Sequence, residues 1–231
     1  MPEYLLSLPP VDSVAVNGTQ ARFPVRRIFC VGRNYAAHAR EMGRDPDREP
    51  PFFFLKPRDA VIDSDATVPY PPRTKNFHHE VELVVALASG GAGVPVANAN
   101  SLIYGYAVGI DLTRRDLQFA ARDQGRPWDW GKAFDRSAPC SAIRSVADVG
   151  HPEAGRIWLA VNGATKQEAD IGELIWRVPE VIASISNSME LRPGDLIFTG
   201  TPAGVGPLVP GDEVRGGIDG IGEITLRIGG K

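Results

Sequence analysis

Apolar runs of about four to eight residues, closed by glycine, proline, asparagine or aspartate, recur along the whole chain. The pattern predicts strands at 27–31, 52–55, 81–87, 105–110, 157–161, 196–199 and 221–228. Their β-branched and aromatic residues suit a pleated surface, and the flanking residues suit turns. Helical periodicity is sparser. It predicts short helices at 35–42, ahead of Gly43, at 114–123, and at 178–188, where apolar residues repeat at i, i+3 and i+4. The proline-rich stretches 44–51 and 68–73 are expected as loops, because proline can continue neither a helix nor a central strand. The sequence shows neither an internal repeat nor a low-complexity tract, and the fold class it points to is α+β, strand-rich, with few short helices.

Composition narrows the function classes. A chain of 231 residues, 43% hydrophobic and 23% charged, reads as one ordinary folded domain. The net charge of -3 leaves no basic excess to neutralise a phosphate backbone, so nucleic acid is not an expected partner. There is no apolar run of membrane-spanning length and no signal-like start, so the expectation is a cytoplasmic protein without a membrane anchor. The two cysteines, Cys30 and Cys140, lack metal-site spacing and are expected as reduced thiols.

Chemistry concentrates where polar residues run into an apolar strand. In His78-His79-Glu80-Val81-Glu82-Leu83-Val84-Val85, the two glutamates share one face at period two. Two like charges side by side cost stability unless a proton or cation lies between them. Asp111 ends the apolar run 104–110 and is a third candidate ligand; three oxygen donors favour Mg2+ or Mn2+ over Zn2+. A solvated strand face would present the same Glu-x-Glu spacing. His78 shares the glutamates' parity, as a metal-shell group, a group behind the ligands, or a structural histidine; His79 is expected on the opposite face. His38 and Glu41 are i, i+3 neighbours on the first helix, a spacing that also fits an exposed surface pair.

Taken together, these blocks resemble one known family. Gly32-Arg33-Asn34-Tyr35 with His38 and Glu41, Phe54-Leu55-Lys56-Pro57, His78-His79-Glu80-Val81-Glu82, Asp111-Leu112-Thr113-Arg114-Arg115-Asp116, Gly131-Lys132-Ala133-Phe134-Asp135 and the stretch 198–206 resemble the fumarylacetoacetate hydrolase family, in its order. The resemblance is to the short, single-domain form, which implies an N-terminal segment at 1–24 and a catalytic domain at 25–231. It also implies a mixed β-roll or sandwich of the family's C-terminal-domain type, assembled as a homodimer.

The resemblance further implies metal-dependent hydrolysis of a carbon–carbon bond in a small keto acid. An acylpyruvate is the expected substrate, such as the fumarylpyruvate of gentisate-type aromatic breakdown. Decarboxylation of oxaloacetate or tautomerisation of a keto acid on the same metal is the alternative, and a non-catalytic keto-acid binder a more distant one. One Mg2+ or Mn2+ would be held by Glu80, Glu82 and Asp111. His38 would be the general base, oriented by Glu41 on a segment acting as a lid, with Lys132 stabilising oxyanion charge. Arg115, Gln118, Thr201 and Lys56 are the candidate substrate-binding groups. For the acyl tail, Arg44, Arg48, Arg58, Arg126 and Arg177 are candidate carboxylate partners, and Trp128, Trp130 and Trp176 candidate walls.

Overall fold

The computed structural model describes residues 5–7, 10–42 and 49–230. The strands, in chain order, are β1 Ser13–Ala15, β2 Arg22–Pro24, β3 Arg27–Gly32, β4 Phe52–Lys56, β5 Val61–Asp63 and β6 Ala66–Pro69. Next come β7 Phe77–His79, β8 Val81–Leu87, β9 Ile103–Ile110, β10 Thr113–Arg114, β11 Ala138–Cys140 and β12 Arg144–Ser145. The last are β13 Arg156–Val161, β14 Ala164–Asp170, β15 Asp195–Phe198, β16 Gly206–Leu208, β17 Glu213–Ile218 and β18 Gly222–Gly229. Helices are short: α1 Ala36–Glu41, α2 Val96–Ala99, α3 Arg115–Asp123, α4 Asp129–Lys132, α5 Val146–Val149 and α6 Val178–Ser188. None of the described helices is long and apolar enough to cross a membrane.

An eight-stranded sheet runs in the order β4-β3-β15-β8-β9-β11-β5, with β12 also paired to β9. A five-stranded sheet follows the order β14-β13-β17-β18-β6, and a small three-stranded sheet joins β10, β7 and β16. Side chains alternate across the large sheet, and each face buries its own core. Leu83, Val85, Val108 and Ile110 face the larger core, which includes residues of the five-stranded sheet and α6. Val84, Ala86, Ala107, Phe198 and Cys30 face the second core, which also buries Val14 and Phe23 from the β1–β2 hairpin.

The seven strands and three helices expected from the apolar pattern all form, so the strand-rich α+β class holds. Strand β14 escaped the pattern because its sequence, ATKQEAD, is polar and mostly exposed, as suits a sheet edge. Strand β17 carries two glycines, Gly216 and Gly217, in the middle of its pairing to β13 and β18. The expected loop at 68–73 needs correction: Val68 and Pro69 complete β6, paired in parallel to β18. That strand lies at the sheet edge, where proline's missing N–H removes no ladder bond. Residues 49–51 lie outside any helix or strand, while Gly43 and most of the expected 44–51 loop lie outside the described residues.

Strands β8 and β9 position the chemistry. They pair antiparallel, with Val81 opposite Ile110 and Glu82 opposite Gly109, so the start of one strand and the end of the other meet at one end of the sheet. Gly109 must lack a side chain there: a Cβ would come within 2.5 Å of both Phe198 and Val84.

Cys30 and Cys140 are both fully buried, and burial raises both thiols. At pH 8 a thiol reagent is therefore expected to label neither cysteine in the native protein and both after denaturation. Prompt labelling of the folded chain would contradict this packing.

Candidate active site

Glu80 precedes β8, Glu82 is its second residue, and Asp111 follows β9 directly. The backbone joins them, since Asp111 N–H donates to the Glu80 carbonyl at 2.8 Å. One oxygen from each carboxylate lies within 4.8 Å of the others, and all three side chains are buried.

Three cations surround this cluster. Lys132, from the end of α4, directs its ammonium hydrogens to Glu80 Oε2 at 2.8 Å, Asp111 Oδ2 at 2.6 Å and Thr113 Oγ1 at 2.7 Å. Arg115, the first residue of α3, donates from Nη2 to Glu80 Oε1 and from Nη1 to Gln118 Oε1 at 2.5 Å. Lys56, at the end of β4, donates to the Leu112 and Lys132 carbonyls at 3.2 and 2.5 Å. Its Nζ also forms an ion pair with Asp111 Oδ1 at 2.8 Å, an oxygen that among the described residues has no other hydrogen-bond partner.

The electrostatics follow from this arrangement. Burial pushes Glu80 up, but Lys132 and Arg115 outweigh it and hold the carboxyl well below its usual range. Glu82 goes the other way: burial, then Asp111 and Glu80, raise it well above the usual range, against the pull of Lys132. Burial lowers Lys132, yet Asp111 and Glu80 more than compensate, and its ammonium is held above its ordinary value. Glu82 Oε2 also accepts the Gly200 N–H at 2.6 Å. Gly200 stands at φ +101°, where L side chains are strained, and a Cβ would meet Asn34 at 2.7 Å.

These features fit a hard divalent cation. The donors are all carboxylate oxygens, Asp111 Oδ1 is buried with no hydrogen-bond partner among the described residues beyond its Lys56 ion pair, and Glu82 is under like-charge pressure that a cation relieves. His78 is not in the ligand cluster; its ring lies between Asn76 Oδ1, at 2.7 Å, and Arg115 Nε, at 3.4 Å. Burial, then the Arg115 charge, lower its pKa to about 4 and keep it neutral.

Helix α1 carries His38, which lines the pocket, and Glu41. His38 is only 6% exposed, and its Nδ1 lies 3.1 Å from Glu41 Oε2. Glu41 in turn accepts the Gly204 N–H at 3.1 Å, and its carboxyl is lowered chiefly by the hydrogen bond to His38. His38 thus belongs to the pocket wall, while the more exposed Glu41 holds it from the helix surface. Asn34 anchors the approach to α1, donating to the Trp176 and Thr199 carbonyls at 2.9 and 2.8 Å and accepting the Trp176 N–H at 2.7 Å.

The structure brings His38, Glu80, Glu82, Asp111, Arg115, Gln118, Lys132 and Thr201 to one pocket of about 480 Å³. Lys56 is not among the lining residues; it stands behind Asp111. Thr201 accepts from Gln167 Nε2 at 2.7 Å, leaving its own hydroxyl hydrogen to donate. Of the tryptophans, Trp128 lines the pocket, whereas Trp130 is 69% exposed and Trp176 lines another cleft.

Several polar residues at the site were not singled out from the sequence. Gln167, fully buried on β14, accepts from His79 and the Val81 N–H and donates to Thr201 and the Pro202 carbonyl. A lone glutamine in a polar run carries no periodic signal. Arg33 and Arg122 also line the pocket. Arg122 was legible in principle, since it continues the helix face of Arg115 and Gln118 at i+7 and i+4.

The chain is similar to several known proteins. A fumarylpyruvate hydrolase from a Ralstonia species is 50% identical over 190 residues, 81% of this chain and 98% of that protein. The crystal structure of fumarylpyruvate hydrolase from Pseudomonas aeruginosa, in complex with Mn2+ and pyruvate, superposes with a TM-score of 0.97 at 50% identity, covering 99% of this chain and 100% of that one. A mouse mitochondrial oxaloacetate tautomerase is 41% identical over 203 residues, covering 88% of this chain and 91% of its own. Residues 27–229 match the fumarylacetoacetate hydrolase C-terminal family, and the chain belongs to it.

Proposed function

We propose that this protein hydrolyses the carbon–carbon bond between the acyl group and the pyruvate methylene of an acylpyruvate, with fumarylpyruvate giving fumarate and pyruvate. The observation that carries this reading is a buried carboxylate triad and an acid-tethered histidine lining one pocket. The relatives named fumarylpyruvate hydrolase support the substrate.

Glu80, Glu82 and Asp111 would hold one Mg2+ or Mn2+, which supplies Lewis-acid stabilisation of the keto and enolate oxygens. Around it, His38 takes a proton through Nε2 from a water, whose hydroxide adds to the acyl carbonyl carbon. Glu41 fixes the imidazole through Nδ1 and stabilises its protonated form. The carbon–carbon bond then breaks, its electron pair leaves on the pyruvate methylene, and protonation there completes pyruvate. Arg115, Gln118 and the Thr201 hydroxyl, which line the same pocket, would orient the pyruvoyl carboxylate. Lys132 supplies positive charge beside the developing oxyanion. Lys56 holds Asp111 from behind.

The likeness to the mouse tautomerase favours a second reading, in which the same groups enolise or decarboxylate a keto acid such as oxaloacetate. A homodimer in the cytoplasm completes the proposal, supported by the family resemblance.

Two outcomes are expected. Mn2+ at about 100 times its dissociation constant should stabilise the protein by about 2.7 kcal/mol, read as a rise in Tm of several degrees that Asp111→Asn abolishes. An unchanged Tm, or an equal rise in the variant, would remove the metal site. His38→Ala should cut turnover of fumarylpyruvate by roughly 10²- to 10⁴-fold while metal-driven oxaloacetate decarboxylation suffers less, and chelation should stop both. Preference for oxaloacetate with little effect of His38→Ala on acylpyruvate cleavage would favour the second reading.

A further inference from the structure

Helix α3 lies along the pocket with Arg115, Gln118, Phe119 and Arg122 turned into it. At its inner end Arg115 is tied to Glu80 and Gln118, beside the triad, and is assigned above to the pyruvoyl carboxylate. At its outer end Arg122 lies over the Phe119 ring, 4.4 Å from the centroid, with its side chain 30% exposed. Among the described residues its ion-pair partner is its own neighbour Asp123, at 2.9 Å, and that side chain is 63% exposed. So open a pair holds weakly, and a second carboxylate can compete for the guanidinium.

Phe54, Trp128 and Met42 add apolar side chains to the same pocket. One helical turn, from Gln118 to Arg122, spans about 6 Å along the axis. A four-carbon diacid arm reaches at most about 4.5 Å from its carbonyl carbon to its far carboxylate carbon, three bonds of about 1.5 Å, and the flexible Arg122 side chain spans the difference. Other arginines fit less well. Arg58 is paired to Asp12 at 3.1 Å, Arg126 lines a neighbouring cleft, and Arg177 lines a separate pocket across the sheet. Arg33 shares the pocket mouth, with its guanidinium 5.2 Å from the centre of the Phe52 ring. Arg44 and Arg48 lie outside the described residues.

We propose that Arg122 is the specificity-determining residue for the acyl arm, binding its distal carboxylate while Phe54 and Trp128 pack against the unsaturated carbons; this rests on the acylpyruvate reading above. The enzyme then selects acylpyruvates that end in a carboxylate over those that end in a methyl group.

The test compares kcat/KM for fumarylpyruvate and acetylpyruvate in the metal-loaded enzyme, wild type against Arg122→Gln and Asp123→Asn. Arg122→Gln should lower the fumarylpyruvate-to-acetylpyruvate ratio by roughly 10- to 100-fold, mainly through KM. Asp123→Asn, which removes the competing carboxylate, should hold or raise the ratio. Should Arg122→Gln fail to fold, Arg122→Lys, which keeps the charge but loses the bidentate fork, should lower the ratio by a smaller factor. A parallel loss on both substrates, or an unchanged ratio, overturns the assignment of Arg122 and leaves the hydrolase reading standing. Wild-type enzyme that cleaves neither substrate sinks both.

Discussion

Three carboxylates buried at one end of one sheet repel each other, and the architecture around them reads as the means of holding them there. Lys56 arrives from β4, Arg115 from α3, Lys132 from α4, and the Gly200 N–H from the loop after β15. Removing one member of such a cluster leaves an uncompensated buried charge, a loss of about 3–5 kcal/mol in comparable pairs. Three carboxylates facing three cations already balance. A divalent cation therefore leaves the site with surplus positive charge, which suits a substrate bearing two carboxylates. On the proposed reading, negative charge developing on an enolate would meet fixed positive groups that need not reorganise.

The two-faced sheet makes this burial possible. On one face Leu83, Val85, Val108 and Ile110 pack into the larger core; on the other, Val84, Ala86 and Ala107 pack into the smaller one. The carboxylates continue the second face beyond the apolar residues: Glu82 lies within β8, while Glu80 and Asp111 are the residues directly outside β8 and β9, joined by the Asp111 N–H to Glu80 carbonyl bond. The short helix α1 supplies His38 and Glu41, and the loop after β15 supplies Thr201.

Some of this was legible in the sequence for simple geometric reasons. Strand alternation puts Glu80 and Glu82 on one face, an apolar run delivers Asp111 at its end, and helix spacing joins His38 to Glu41 and Arg115 to Gln118. What was hidden depends on contacts distant in the chain. Nothing local says that Lys56 turns inward behind Asp111, or that Gln167, in a polar edge strand, links His79 to Thr201. Strands β14 and β17 were missed because exposed polar residues and paired glycines erase the apolar signal. Proline suggested a loop at Pro69, where a sheet edge tolerates it.

The central claim is that Glu80, Glu82 and Asp111 form one divalent-cation site, and anomalous diffraction from crystals grown with Mn2+ tests it most directly. The account predicts one manganese peak per chain, with an oxygen of each of the three carboxylates about 2.0–2.2 Å away. A clean map with no peak among these residues, or manganese bound only to exposed carboxylates elsewhere, would contradict it.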